Sequence, residues 1–297
     1  MAELPSIAAP VGLVFVLQER SAANANGEVT TYPAIEFVAQ VRGEQFRSPP
    51  LPSITEYGLF AQTNFKDRRY YALREDRLLG TLTTVLPEKL PTIYNSLEAP
   101  VRSEQPVLPL SDLHLTVATD QPLNVTNRKP VPEQTATEVD ALARAALLKE
   151  GLPAALATEV PRLWMSSLRV GGRPEAVAAL YGRTFSAKSA DLTLKRLVSL
   201  LIIAEPVSEQ GKTSWQSRLS LVGDGSPEST VAYGPLAVAD LNGDGFEDIL
   251  VRQTRFDHWQ YGIYSFYQGS WQSRFTGREG NYGVDLPNPD EETDPVQ

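Results

Sequence analysis

The chain contains no cysteine and only two histidines, His114 and His258. Disulfides, zinc–thiolate sites and thiol nucleophiles are therefore excluded. No apolar run approaches the roughly 18 residues of a membrane span. Positive charge is in deficit: 27 Lys and Arg stand against 36 Asp and Glu, giving a formal net charge of −9. A general nucleic-acid binder needs a basic surface to displace counterions, so that class is excluded. Docking on an anionic membrane is unfavourable for the same reason. The G-x-S-x-G, H-E-x-x-H and Walker patterns are all missing. "GREGNYG" is glycine-rich but lacks the phosphate-loop Lys-Ser/Thr, and reads as an ordinary loop.

Turns and short strands are what the chain does encode. It carries 23 prolines and 20 glycines in 297 residues, with 42% hydrophobic residues, enough for a packed core. "GLVFVLQ" and "AIEFVAQVRG" are rich in β-branched and aromatic residues and read as strands. "RYYALREDRLLGTLTTV" reads as a hairpin turning near Glu75 and Asp76, with Tyr71, Leu73, Leu79 and Leu82 as candidate core. Pro87, Pro91, Pro100, Pro106, Pro109 and Pro122 then break ladders, so this part is extended. "LHLTVAT" is a further strand and makes His114 structural. The N-terminus has no basic residue before its apolar stretch, so a strand is expected there rather than a signal peptide.

Residues 131–137 read as a linker between an irregular N-terminal β domain, 1–130, and a second unit, 138–285. Thr137 is the expected helix cap, with Asp140 three residues on. Val139, Leu142, Ala146 and Leu147 form the apolar stripe, and Gly151 with Pro153 stops the helix. "ATEVPRLWM" either begins a short second helix or leads into a strand. Residues 286–297 form an acidic, Pro-rich tail expected to be disordered.

The second unit repeats itself. "SWQSR" occurs at Ser214–Arg218 and at Ser270–Arg274, a shift of 270 − 214 = 56 residues. "SLRVGGRPEAV" from Ser167 aligns with "DLNGDGFEDIL" from Asp240, a shift of 240 − 167 = 73 residues. The first copy is thus longer by 73 − 56 = 17 residues, placed in "GRTFSAKSADLTLKR". The expected fold class is mainly β (α+β), with a duplicated propeller-blade-like β-meander.

Within the second copy, Asp240, Asn242, Asp244 and Asp248 stand at positions one, three, five and nine of a loop, with Gly243 and Gly245 for tight turns. Carboxylates so close repel one another. A hard divalent cation turns that repulsion into attraction, and calcium suits a flexible, oxygen-rich loop better than magnesium. Asp-Asn-Gly clusters also make metal-free hairpin turns, but such a turn needs only two or three of these residues. Val251 at position twelve excludes a standard EF-hand, and both flanks read as strands.

"DLNGDGFED", preceded by Tyr233-Gly234 and an apolar strand, resembles the integrin-type FG-GAP repeat and the related VCBS repeats of bacterial surface proteins. The resemblance implies a calcium site with Asp240, Asn242, Asp244 and Asp248 as side-chain ligands and Phe246 as a main-chain ligand. It covers about the last 50 residues well. The Gly-Ala-Pro that closes the family motif is replaced by Arg252, Gln253 and Thr254, and one intact loop is too few for a full propeller. The first copy has lost the acids, so no metal is expected there; Arg169 stands ready to replace the cation's charge.

The aromatic run from Phe256 to Phe275 offers a ligand face: Trp259, Tyr261, Tyr264, Tyr267 and Trp271 can stack sugars or grip a peptide. The stronger reading is a buried central strand with aromatics filling both faces. Asp257 and His258 resemble a base and its orienter, but neighbours on a strand face opposite ways. "NVT" at Asn124 is a glycosylation sequon that matters only in a eukaryotic secretory setting. The expected function is a non-catalytic, calcium-binding structural or ligand-binding module of a bacterial envelope or secreted protein, with an unknown protein or glycan partner. The alternative is a glycan hydrolase with a cleft between the two halves.

Overall fold

Short runs rich in β-branched and aromatic residues recur along the chain, and a computed structural model resolves them into strands. It describes residues 12–23, 29–49, 54–74, 77–86, 97–103, 116–123, 128–189 and 192–281. The protein is mainly β. Among the described residues no helix is long and apolar enough to cross a membrane.

The first sheet holds β1 (Leu13–Ala23), β2 (Val29–Arg42), β3 (Gln45–Arg47), β4 (Arg69–Arg74), β5 (Arg77–Thr84), β6 (Glu98–Ser103) and β7 (Thr116–Thr119). Its order is β1-β7-β4-β5-β6-β2-β3, and β1 also pairs antiparallel with β2. That second pairing closes six strands into a barrel, which removes their free edges. Phe15, Leu17, Ile35, Phe37, Tyr70 and Leu82 point into it. Helix α1 (Ile54–Asn64) adds Tyr57 and Ala61 to the same core. Val14, Val16 and Val38, one residue out of phase, form the outer face.

The hairpin expected near Glu75 and Asp76 is present as β4–β5, although the turn itself lies outside the described residues. Leu73 and Leu82 are buried as expected. Tyr70 and Ala72 also take core positions, whereas Tyr71 and Leu79 are half-buried. Leu73, next to Ala72 on the strand, faces the opposite way and packs in the outer cluster.

Two four-stranded antiparallel meanders follow. The first is β8 (Arg162–Leu168), β9 (Ala176–Ser189), β10 (Leu192–Glu209) and β11 (Lys212–Gly225). The second is β12 (Ala232–Ala239), β13 (Asp248–Thr254), β14 (His258–Tyr267) and β15 (Ser270–Asn281). Both "SWQSR" copies fall in the fourth strand of their meander, and both halves of the other match span the first turn. The extra residues of the first copy lengthen its β9–β10 hairpin.

Helix α2 (Glu133–Lys149) and the short α3 (Ala154–Ala157) cover one face of the first meander. Val139, Ala143 and Leu147 of α2 meet Leu200, Ile202 and Ala204 of β10. On the other face, Leu201 and Ile203 meet Val238, Ile249 and Val251 of the second meander. That meander turns its far face, with Leu250, Trp259, Tyr261 and Ile263, onto the barrel wall. The layers therefore run helices, meander, meander, barrel.

Two expectations about this region are corrected. The helix begins at Glu133, so most of 131–137 is helix rather than linker. Pro132 occupies the cap position without a side-chain bond, and Glu133 places negative charge on the first turn, where the helix dipole favours it. The Thr137 hydroxyl donates instead to the Glu133 carbonyl, 2.9 Å away, one turn inside the helix.

Truncating a side chain between the meanders should be costly. Ile249→Ala, at a fully buried position, is expected to lower unfolding free energy by about 2–5 kcal/mol in urea denaturation. Leu194→Ala, at an exposed position, should change it by less than about 0.5 kcal/mol.

Candidate metal loop and the buried carboxylates around it

The connection from β12 to β13 folds around its own acids. Gly243 and Gly245 take φ of +75° and +88°, the left-handed backbone that side chains disfavour. Asp240 accepts bonds from the amides of Gly243 at 2.7 Å, Asp244 at 3.1 Å and Gly245 at 3.0 Å. Asn242 Oδ1 accepts from the Asp244 amide at 3.1 Å, and its Nδ2 donates to Asp244 Oδ2 at 3.0 Å. Asp244 Oδ1 accepts from the Phe246 amide at 2.9 Å. Asp248, the first residue of β13, is fully buried and accepts from the Leu241 amide at 2.9 Å and from the Ser265 hydroxyl. All four predicted side chains thus engage the loop and its β14 neighbour.

These carboxylates are electrostatically uncomfortable. Burial pushes Asp248 well above the usual range; the bonds from Ser265 and Leu241 pull it back, while Asp244 and Asp240 push it further up. Burial also raises Asp240, with bonds from the loop amides opposing and Asp244 adding to the rise. The charges acting on both are other loop acids, not cations. Among the described residues, no three His, Cys, Asp or Glu side chains form a ready-made metal cage. The donor set is nonetheless chemically right for a hard cation: each carboxylate carries about four lone-pair sites, and each keeps at least one beyond the bonds it accepts here. Phe246 forms an isolated backbone bridge with Val170, and its ring stacks on Phe266 at 5.7 Å.

Glu247, absent from the sequence-based ligand set, is the best-partnered acid nearby. It is almost fully buried. Arg128 grips it with both guanidinium arms, at 2.7 and 2.9 Å, and also donates to the carbonyls of Ser167 and Val238. Arg169 adds its main-chain amide at 2.8 Å and its guanidinium at 3.0 and 3.1 Å. Arg169 was expected to neutralise its own acid-free loop; it crosses to Glu247 of the other copy. The two related loops are thereby locked face to face, with the segment entering α2 fastened to both.

The predicted ligand face is interior. Trp259, Tyr261, Tyr264 and Trp271 are all buried. Both faces of β14 are covered, one by the barrel and one by the first meander, and this removes the solvent-facing platform that stacking a sugar requires. The polar tips serve the layers. Trp259 Nε1 and the Tyr261 hydroxyl donate to Glu36 of the barrel at 3.2 and 2.6 Å. Trp271 Nε1 donates to Glu205 of β10 at 3.0 Å. Arg173 and Arg218 also pair with Glu205, each at 3.3 Å. Tyr267 is half-buried, with the Arg274 guanidinium 3.4 Å from its ring centre.

His258 and Asp257 do meet, at 2.7 Å, against the expectation from strand alternation. Asp257 lies in the bend before β14, where alternation does not apply. The His258 bond lowers its pKa, and its side chain is 69% exposed, so the pair sits at the surface. His114, Asn124 and residues 286–297 lie outside the described residues. No protein-family model matches this chain, and no curated protein or solved structure matches it.

Two outcomes follow from the buried glutamates. Glu247→Ala leaves Arg128 largely buried without its counter-charge and should destabilise the fold by about 3 kcal/mol or more in denaturant titration. Burial also holds the Glu36 carboxyl above its ordinary value of 4.5, opposed by bonds from Tyr261 and Gln18 and by the Arg20 charge. An acid with a raised folded pKa contributes stability that is full below 4.5 and is lost as pH climbs through the folded value. Glu36→Gln cannot ionise. By scanning calorimetry its melting temperature should fall less than wild type between the ordinary carboxylate range and about pH 8; parallel falls would contradict this.

Proposed function

We propose that the Asp240–Asp248 loop binds one calcium ion and that the ion acts structurally, within a non-catalytic module. The observation that carries the reading is the crowding of Asp240, Asp244 and Asp248. They are partly or wholly withdrawn from water; burial raises the pKa of Asp240 and Asp248, and neighbouring loop acids add to the rise. Calcium accepts six to eight oxygens and offsets this repulsion without a rigid preformed cage. Side-chain oxygens of Asp240, Asn242, Asp244 and Asp248, with the Phe246 carbonyl, would hold it. The resemblance to FG-GAP and VCBS repeats supports the same donor set.

The loop lies beside Glu247, where the two meanders and the α2 approach are joined, so the ion stiffens the junction on which the layers depend. An affinity in the range of extracellular calcium modules suits a loop with no bidentate Glu at position twelve. On that ground the module belongs outside the cytoplasm, in an envelope or secreted protein, where it presents a protein- or glycan-binding surface. The hydrolase alternative is less well supported. Among the described residues, the cavity at the seam of barrel and meanders is lined by basic, hydroxyl and apolar side chains, without the paired carboxylates that glycoside hydrolysis uses.

A thermal melt tests the calcium reading. At about a hundred times its dissociation constant, calcium should add about 2.7 kcal/mol and raise the melting temperature by several degrees. Magnesium should do less. Asp240→Asn combined with Asp244→Asn should abolish the calcium response while the protein stays folded. No shift in the wild type at millimolar calcium would sink the proposal.

A further inference from the structure

A cavity of about 320 Å³ lies where the barrel, the α2 approach and both meanders converge. Its basic residues are Arg77 at the start of β5 and Arg128 and Lys129 from the approach to α2. Its apolar walls include Val131 and, from β8, Trp164 and Met165. Among the described residues no Asp or Glu lines it, although the whole chain carries a net charge of −9. A basic hollow on an acidic protein is a local reversal of field, and low-dielectric walls concentrate it.

The three cations play different parts. Arg128 is held from behind by Glu247 and by the carbonyls of Ser167 and Val238, so it forms a fixed floor. Arg77 and Lys129 are exposed at the rim. The half-buried Trp164 offers a flat apolar surface. The volume falls in the range of small-ligand sites.

We infer that this cavity binds a small organic anion: one carboxylate, phosphate or sulfonate group carried on a flat apolar body. The anionic group lies between Lys129 and Arg77, and the body rests on Trp164. Because the walls come from the barrel and both meanders, the ligand bridges three layers at once. The inference is independent of the calcium loop, and either can fail alone.

The probe is 8-anilinonaphthalene-1-sulfonate, titrated into the full-length protein under native conditions and followed by fluorescence and calorimetry. One saturable site per chain is expected. Lys129→Glu and Arg77→Glu, both at exposed positions, should each weaken binding by about tenfold, as reversing a nearby charge requires. Lys129→Gln should weaken it less. Arg183→Glu, on the helix-covered side of the first meander, should leave it unchanged. The uncharged analogue N-phenyl-1-naphthylamine should bind at least about tenfold more weakly than the sulfonate. Circular dichroism confirms that each variant is folded. No saturable binding at millimolar probe, equal binding of the uncharged analogue, or indifference to both charge reversals would overturn the inference.

Discussion

A carboxylate taken out of water must be given something in return, and this constraint organises the whole protein. Glu36, Glu205 and Glu247 are all buried, and each lies at a seam between layers. Glu36 fastens the barrel to the second meander through Trp259 and Tyr261. Glu205 fastens the first meander to the second through Trp271. Glu247 fastens both meanders to the segment that leads into α2. Apolar burial drives the layers together, whereas these acids set their register. A slip by one residue would strand a charge without its partners.

The loop acids stand apart from that pattern. The three glutamates each have arginine close by, at distances of 2.7 to 3.5 Å. Asp240, Asp244 and Asp248 have loop amides, one side-chain amide and one hydroxyl instead. Neutral donors compensate a carboxylate less well than a cation does. The same chain thus compensates one set of buried acids with its own cations and leaves the other set to hydrogen bonds. A bound divalent ion would complete the second set as arginine completes the first.

Much of this was legible in residue pattern. The β-branched and aromatic content of "GLVFVLQ" announces β1, and the two "SWQSR" copies announce two equivalent fourth strands. The loop acids, read as converging on an ion, accept bonds from the amides of their own loop. What stayed hidden depends on contacts distant in sequence. Glu36 meets Tyr261 across 225 positions, and no local periodicity records such a pairing. Closure of the barrel rests on β1 pairing with both β2 and β7, and α1 has a mixed surface with Leu59 exposed beside buried Tyr57. Glu247 was overlooked because it falls between loop positions. The aromatic run admitted two readings, since a strand buried on both faces and a stacking platform draw on the same residues; the buried strand is what forms.

Direct ion counting tests the central claim most plainly. Equilibrium dialysis of the full chain against millimolar calcium, with bound metal measured by atomic emission, should find one ion per chain. The Asp240→Asn, Asp244→Asn double variant, folded by circular dichroism, should hold none. An ion-free wild type, or undiminished binding in that variant, would contradict the account.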